Sequence, residues 1–177
     1  MKGVIALAAG LATAVSASAV PAKVEGRAAT STGSSTLPTI TINGNAFYNG
    51  NERFYIRGVD YQPGGSSANS DPLADPATCQ RDIPYFQKLG LNTIRVYQVD
   101  NSANHDECMA SLAEAGIYLA LDVNTNTYSL LRQGTAGSYN PTYLQSIFAT
   151  VDAFANYTNT LLFFSGNEVG HGMLYLV

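Results

Sequence analysis

The chain has 177 residues and a formal net charge of −4, with 46% hydrophobic residues and only 12% charged residues. The length predicts one domain or part of a larger one, and the hydrophobic fraction is sufficient for a core. Lys and Arg number only nine and form no cluster, which argues against nucleic-acid binding. A surface covered mainly by neutral polar residues suits a secreted protein that handles neutral polar ligands.

The first residues have the pattern of a secretory signal peptide. Lys2 supplies the positive start, "VIALAAGLATAV" is an apolar run too short to span a bilayer well, and Ala17-Ser18-Ala19 is a small-residue cleavage site. We therefore expect a signal peptide over residues 1–19. A buried N-terminal helix is the alternative, and the absence of an amphipathic pattern disfavours it.

Residues 20–38 are Ser/Thr-rich and aperiodic, and we predict a disordered lead-in there. Ordered structure is expected from about residue 39, beginning with a hairpin marked by Asn-Gly turns and followed by an apolar strand from Phe54 to Val59. Asp75-Pro76 then predicts the start of a helix, and Gly90 its end.

From this point strands and helices alternate. The apolar runs "LNTIRVYQV", "IYLALDV" and "TLLFFSG" predict buried strands. A helix from about His105 to Gly116 separates the first two, and a longer helix after Asn140-Pro141 separates the last two. Apolar strands that alternate with helices form a parallel sheet covered by helices.

Two α/β architectures fit this order, an open doubly wound sheet and a (β/α)8 TIM barrel. The open sheet usually carries a Gly-rich phosphate turn after its first strand, and "YQPGGSSANS" lacks the required spacing. The barrel is therefore favoured. Since a full barrel needs about 250 residues, we expect only about the first four βα units in this chain.

The two cysteines and one sequon suggest covalent modification. In a secreted chain, Cys79 and Cys108 predict a disulfide, and two buried free thiols are the less favoured alternative. Asn156-Tyr157-Thr158 is an N-glycosylation sequon. It lies within a helical pattern, so its occupancy depends on whether Asn156 faces solvent.

Polar side chains follow each of the four strands predicted for the parallel sheet. In a barrel the active site lies at the carboxyl ends of the strands. Each residue alone could be a helix cap or a turn residue, but their convergence predicts a site for hydroxyl-rich ligands. These residues are Asp60-Tyr61-Gln62, Arg95 and Tyr97 with Asp100-Asn101, Asp122 and Asn124, and Asn167-Glu168.

Glu168 is the candidate acid of this site. Cleavage of a glycosidic bond needs two carboxyl groups, one of them protonated by an apolar setting, and "LLFFSG" before Asn167 supplies such a setting. The alternative is a surface Glu at the start of a helix. His105 and His171 have no metal-ligand spacing, and neither a nucleophile turn nor a phosphate loop is present. We therefore expect no metal and no cofactor.

The motifs together resemble a known family. "FYIRGVDYQPGGSS", "DPLADPATCQRDIPYFQKLGLNTIRVYQVD", "NHDECMASLAEAGIYLALDVNT" and "SYNPTYLQSIFATVDAFANYTNTLLFFSGNEV" resemble the fungal cell-wall β-1,3-glucanosyltransferases of glycoside hydrolase family 72. The resemblance covers residues 39–169 without a sizeable gap. Several long motifs in order make it far more specific than an Asn-Glu pair alone.

The resemblance implies a secreted (β/α)8 enzyme of the cell wall and outer plasma membrane, held there by a glycolipid anchor in full-length relatives. It implies a retaining transferase that cleaves a β-1,3-glucan donor and elongates an acceptor chain. Glu168 matches the acid/base and Asn167 its sugar-contacting neighbour. The other matches are Gln62, Tyr97 and Asp122 at glucan-binding positions, and Cys79 and Cys108 as a disulfide.

The resemblance ends before residues 170–177, "GHGMLYLV", which form a non-family tail too short for a glycolipid-anchor signal. The family places its nucleophilic glutamate on a later strand, so we expect this chain to be a truncated and poorly folded fragment without activity. A retained intron or an incomplete gene model would explain it. The alternative function is a non-catalytic glucan-binding or wall-structural protein, and a hydrolase of the same barrel clan fits less well.

Overall fold

The computed structural model describes residues 37–65, 67–131 and 135–167. The predicted signal peptide, nearly all of the lead-in, Glu168 and the tail at 170–177 lie outside these residues. The described chain forms two sheets. One is antiparallel, with strands β1 (Thr41–Asn43), β2 (Ala46–Asn49) and β3 (Glu52–Phe54); the other is parallel, with strands β4 (Gly58–Asp60), β5 (Thr93–Val96), β6 (Tyr118–Asp122) and β7 (Thr160–Phe164).

The antiparallel sheet confirms the predicted hairpin and adds a third strand. Both of its turns are Asn-Gly, with Gly44 at φ 60° and Gly50 at φ 59°, a left-handed conformation that glycine adopts without steric cost. The sheet contacts the amino-terminal end of β6. There, Phe54 meets the ring of Tyr118 edge-on at 5.3 Å, and the Tyr118 hydroxyl donates to the Pro38 carbonyl at 2.7 Å.

The parallel sheet has the strand order β4-β5-β6-β7, so sequential strands are neighbours. Helices fill the connections between them, as the alternation predicted. Helix α1 (Pro76–Lys88) follows β4, α2 (Asp106–Glu114) follows β5, and a short α3 (Thr135–Ser138) and a longer α4 (Pro141–Phe154) follow β6. No pattern in the sequence predicted α3.

The predicted strand from Phe54 to Val59 is wrong, because it spans two elements in two sheets. Phe54 ends β3, and Gly58 begins β4. Between them, the Arg57 N–H donates to the Asn92 side-chain oxygen at 2.8 Å instead of continuing a ladder. A Cβ at Gly58 would lie 2.9 Å from the Thr93 carbonyl oxygen, so glycine permits the close approach of β4 to β5.

The helix boundaries agree with the capping signals. Asp75 accepts hydrogen bonds from the backbone N–H groups of Ala77 and Thr78, and a proline follows it at the first helical position. Asn140 caps α4 in the same way. These side chains satisfy amide donors that the first helical turn leaves unpaired, which is why Asx-Pro pairs predicted the helix starts correctly.

The core lies between the parallel sheet and the helices. Every residue of β6 is buried, as expected for a central parallel strand covered on both faces. None of the helices in the described ranges is long and apolar enough to cross a membrane. The largest fully buried apolar side chains include Leu73, Ile94, Met109, Leu112, Ile117, Leu119, Leu121 and Phe154.

A disulfide joins Cys79 on α1 to Cys108 on α2, which confirms the predicted pair. Both cysteines are 1% exposed, and their Cα atoms are 5.8 Å apart. The bond spans 29 residues of sequence, so it closes a loop that includes β5. It therefore connects two helices that pack side by side on the sheet.

Loss of this disulfide should lower the free energy of unfolding by about 3.5 kcal/mol, because the unfolded chain regains the entropy of the closed loop. Urea unfolding of a Cys79→Ala/Cys108→Ala variant measures the effect. Dithiothreitol should destabilise the unsubstituted chain to the level of this variant and leave the variant itself unchanged. Equal stability of the oxidised chain and the variant would contradict the prediction.

Candidate functional site

A cleft of about 350 Å³ lies at the carboxyl ends of the parallel strands. Segments that follow β4, β5, β6 and β7 all contribute to it. None of the described residues that line it is charged, and most carry an amide, a hydroxyl or an aromatic ring. They are Tyr61, Gln62, Pro63, Gly65, Asn69, Ser70, Pro72, Val96, Tyr97, Gln98, Asn124, Thr125, Asn126 and Asn167.

The cleft brings together five of the strand-end residues predicted from the sequence, Tyr61 and Asn124 among them. Gln62, Tyr97 and Asn167 come from three different strand ends, and all three line it. Asp122 does not reach the cleft lining. Glu168 lies outside the described residues, but it directly follows Asn167.

An ion pair lies at the strand ends beside the cleft. Arg95 on β5 donates to both carboxylate oxygens of Asp122 on β6, each at 2.9 Å. The Asp122 side chain is fully buried and that of Arg95 is 21% exposed. Hydrogen bonding to Asp122 is the main reason that the pKa of the Arg95 guanidinium is raised. The guanidinium therefore stays charged at any ordinary pH.

Arg95 also organises the residues around it. A guanidinium N–H donates to the Asn167 side-chain oxygen at 3.1 Å. The guanidinium carbon lies 4.3 Å from the ring centroids of both Tyr97 and Phe164, within the range of cation–π attraction. Arg95 therefore fixes the Asn167 side chain that precedes Glu168. Sequence reasoning noted Arg95 at a strand end but missed this role, although a lone Arg in the apolar run "TIRV" demands a buried partner.

Tyr97 is held in the same cluster. Its hydroxyl accepts a long hydrogen bond from Arg95 at 3.4 Å and forms a hydrogen bond with Asp60. Burial, followed by this bond to Asp60, raises the pKa of the Tyr97 hydroxyl. The phenol therefore stays protonated and keeps its hydrogen for donation.

The geometry gives Asp122 a positioning role, because both of its oxygens already accept from Arg95. Direct contact between Asp122 and glucan stays a prediction.

Two other residues at strand ends donate hydrogen bonds to helices. The Tyr61 hydroxyl donates to Asp82 on α1 at 2.7 Å, and burial is the main reason that the pKa of Tyr61 is raised. The Asn101 amide donates to the Ser146 carbonyl and the Thr150 hydroxyl on α4. These bonds fix both side chains against the helices, and Tyr61 also lines the cleft.

The loops supply cleft residues that sequence reasoning missed. Asn69 adopts a left-handed conformation with φ 43°, and its side-chain oxygen accepts from the Asn126 amide. This bond links the loop after β4 to the loop after β6 across the cleft. Asn124, which was predicted from the sequence, also lines the cleft, and its side-chain oxygen is buried without a partner among the described residues. For Asn69 and Asn126, only the clustering of Asn, Gln and Ser near the strand ends indicated a role in the site.

Comparison with known proteins agrees with the geometry. The sequence profile of glycoside hydrolase family 72, described as glucanosyltransferase, matches residues 29–173. The chain belongs to this family. A 1,3-β-glucanosyltransferase of Aspergillus fumigatus, gel1, is 60% identical over 93% of the chain. The 1,3-β-glucanosyltransferase gas5 of Schizosaccharomyces pombe is 65% identical over 75% of the chain.

The family likeness extends to three dimensions. Gas2p of Saccharomyces cerevisiae, solved in complex with laminaripentaose, is 38% identical and superposes with a TM-score of 0.70 over 76% of the chain. The chain spans about a third of the length of these proteins, 34% for gel1, 26% for gas5 and 32% for Gas2p. The parallel sheet with its helices is thus part of a larger family fold.

Breaking the Arg95–Asp122 pair on one side should be costly. Arg95→Met leaves a buried carboxylate without its partner, which should lower the free energy of unfolding by about 3 kcal/mol. Arg95→Met/Asp122→Leu removes both charges and should recover at least half of that loss. Urea unfolding measures both variants.

Arg53→Met is the matched control, because Arg53 is exposed and contacts only the Tyr55 ring among the interactions described for it. It should cost less than about 1 kcal/mol. A double variant less stable than Arg95→Met would contradict the prediction.

Proposed function

We propose that this chain carries the first half of the glucan site of a 1,3-β-glucanosyltransferase, a retaining enzyme that cleaves and elongates β-1,3-glucan. The observation that supports this proposal best is the uncharged cleft of amides, hydroxyls and aromatic rings at the strand ends. A neutral sugar chain offers many hydroxyl groups to such amides, and its ring faces pack on aromatic side chains. Charged ligands would find no countercharge among the described lining residues.

Glu168 is the proposed acid/base. As an acid it protonates the leaving glycosidic oxygen while a carboxylate nucleophile attacks the anomeric carbon. As a base it then takes the proton of the acceptor hydroxyl that attacks the glycosyl-enzyme, which regenerates the acid. Asn167, held by Arg95 at 3.1 Å, is proposed to contact the 2-hydroxyl of the donor sugar. Gln62 and Tyr97 are proposed to bind the donor chain, and Asp122 to support them.

The nucleophile is proposed to come from polypeptide beyond Val177. A retaining mechanism needs a second carboxylate about 5 Å from the acid. Asp122 is a poor nucleophile, because both of its oxygens are bound by Arg95 in a buried site. Asp60 is engaged by the Tyr97 hydroxyl. The chain by itself is therefore expected to bind glucan without turning it over, which is also what a purely glucan-binding protein would do.

The proposed fold of the whole protein is the (β/α)8 barrel, with β4 to β7 as its first four strands. Parallel strands in sequential order with intervening helices are what such a barrel requires. The N-terminal signal pattern supports secretion, and the cell wall or the outer face of the plasma membrane is the proposed location. A glycolipid anchor in the full-length protein is the proposed membrane attachment.

The function is tested with a chimera in which residues 39–169 of this chain replace the matched segment of gel1. We expect it to transfer glucan from a reduced laminari-oligosaccharide, as resolved by product chromatography. Glu168→Gln in the chimera should reduce the rate by about 10² to 10⁴, because the leaving oxygen is no longer protonated. Glu114→Gln on the exposed end of α2 is the matched control and should leave the rate unchanged.

This chain alone, incubated with the same substrate, should release no product. Turnover at a rate comparable with gel1 would refute the proposed need for a nucleophile beyond Val177. A folded chimera that binds laminari-oligosaccharide but never transfers it would favour the non-catalytic glucan-binding function instead.

N-glycosylation is proposed at Asn156. The structure places Asn156 in the turn after α4 and exposes it, so an oligosaccharyltransferase can reach its amide. Secretion from a yeast host should yield a chain whose electrophoretic mobility increases on treatment with an endoglycosidase. Asn156→Gln should abolish that shift, while Asn69→Gln, which lies outside any sequon, should not. Persistence of the shift in Asn156→Gln would place the glycan elsewhere.

A further inference from the structure

Asp71, in the loop between β4 and α1, accepts an unusual number of hydrogen bonds. One of its oxygens accepts from the N–H groups of Leu73 at 2.9 Å and Ala74 at 3.2 Å, within its own loop. The other accepts from the Asp100 N–H at 2.8 Å and lies 2.8 Å from His105 Nε2. The second oxygen thus joins the loop after β4 to the loop after β5.

His105 is an equally fixed partner. Its side chain is 2% exposed, and its ring packs on Phe154 of α4 at 4.6 Å. Its carbonyl accepts the Met109 N–H in the first turn of α2. The imidazole therefore has little freedom to leave Asp71, and the contact ties the loop to the helix layer as well.

Helix capping does not account for this pair. Helix α1 already has Asp75 as its cap. At α2 the His105 side chain makes no capping bond, and the Asp106 N–H is satisfied by the Asn104 side chain at 2.8 Å. The Asp71–His105 pair is therefore available to connect two loops rather than to start a helix.

Both of these loops form the wall of the cleft. Ser70 and Pro72 flank Asp71 directly, and both line the cleft. Gln98, which lies two residues before Asp100, lines it too and accepts from the Asn126 N–H at 3.4 Å. Asp71 thus lies immediately behind the cleft wall, where a change in its hydrogen bonds would shift the residues on either side.

We infer that the Asp71–His105 pair is a positioning device for glucan binding, which holds the loops after β4 and β5 at a fixed separation before the ligand arrives. This inference rests on the proposed function. Binding surfaces that are already ordered avoid the entropic cost of ordering loops on association. Asp71 and His105 act through Ser70, Pro72 and Gln98 and do not touch the sugar themselves.

The first test is Asp71→Asn in the full chain. The substitution keeps one acceptor oxygen for Leu73 and Ala74 and replaces the other with an amide NH2, which cannot accept from Asp100. Affinity for a laminari-oligosaccharide, measured by calorimetry, should fall about tenfold. Asp75→Asn is the matched control, because it makes the same chemical change in the same loop at a residue whose described bonds are all within the α1 cap. It should change affinity less than twofold.

The second test uses two His105 variants. His105→Gln retains an N–H donor near the position of Nε2, whereas His105→Leu fills the space without a donor. Affinity should stay close to that of the unsubstituted chain in the first and fall in the second. Equal losses in both variants, or unchanged affinity in a folded Asp71→Asn, would show that the pair serves stability alone and would overturn the inference.

Hydrogen exchange of the free chain separates this inference from the proposed function. Asp71→Asn should speed amide exchange at residues 67–72 and 98–104, and Asp75→Asn should not. If the unsubstituted chain binds no laminari-oligosaccharide, the glucan function of the chain fails, and exchange alone decides whether the pair orders the loops. Equal exchange in the two variants would refute the positioning role whatever the chain binds.

Discussion

The buried ion pair between Arg95 and Asp122 is the constraint on which the geometry of the site depends. Asp122 ends a strand that is buried along its whole length, where an unpaired carboxylate would lose its hydration without compensation. Arg95 supplies two hydrogen bonds to it and a third to Asn167. One guanidinium therefore links the ends of β5 and β6 to Asn167 in the segment after β7. Any change in the register of these strands would separate the charges.

The ion pair between Arg95 and Asp122 explains how neutral residues can line a cleft that has charged residues beside it. Arg95 and Asp122 satisfy each other beside the wall, so their fields are largely compensated locally. The lining itself presents amides, hydroxyls and aromatic rings. Uncharged groups release bound water at lower cost than ions do, which suits a ligand that must exchange water for sugar hydroxyls. The low fraction of charged residues in the sequence thus corresponds to the absence of charged residues from the described lining of the cleft.

Much of the fold could be predicted from the sequence, because its signals are local. Asp75-Pro76 and Asn140-Pro141 mark helix starts through bonds that span two or three residues. The continuous apolar runs mark parallel strands. The prediction failed at Phe54 to Val59, where the apolar run continues through a boundary between two sheets. That boundary depends on Asn92, which is distant in sequence and bonds the backbone of Arg57.

The residues of the candidate site likewise fall into those that could be predicted from the sequence and those that could not. Gln62, Tyr97 and Asn167 were predictable because parallel topology alone brings strand ends together. The bond between Asn69 and Asn126 and that between Asp71 and His105 join residues 57 and 34 positions apart. No periodic pattern encodes such contacts, and each residue alone has the composition of an ordinary turn. The contacts between the loops that form the wall of the cleft therefore could not be predicted from the sequence, whereas the strand-end residues could.

The two ends of β6 show why the ligand bound in the cleft can change while the parallel sheet keeps its structure. At its start, Tyr118 packs on Phe54 and donates to Pro38, which joins the antiparallel sheet to the parallel one. At its end, four residues later, Asp122 holds Arg95 beneath the candidate site. The strand between them is fully buried, so a displacement at one end is resisted along its whole length by close packing. Substitutions in the loops can therefore change what the cleft binds without moving Arg95, whereas substitutions within β6 would affect stability and site together.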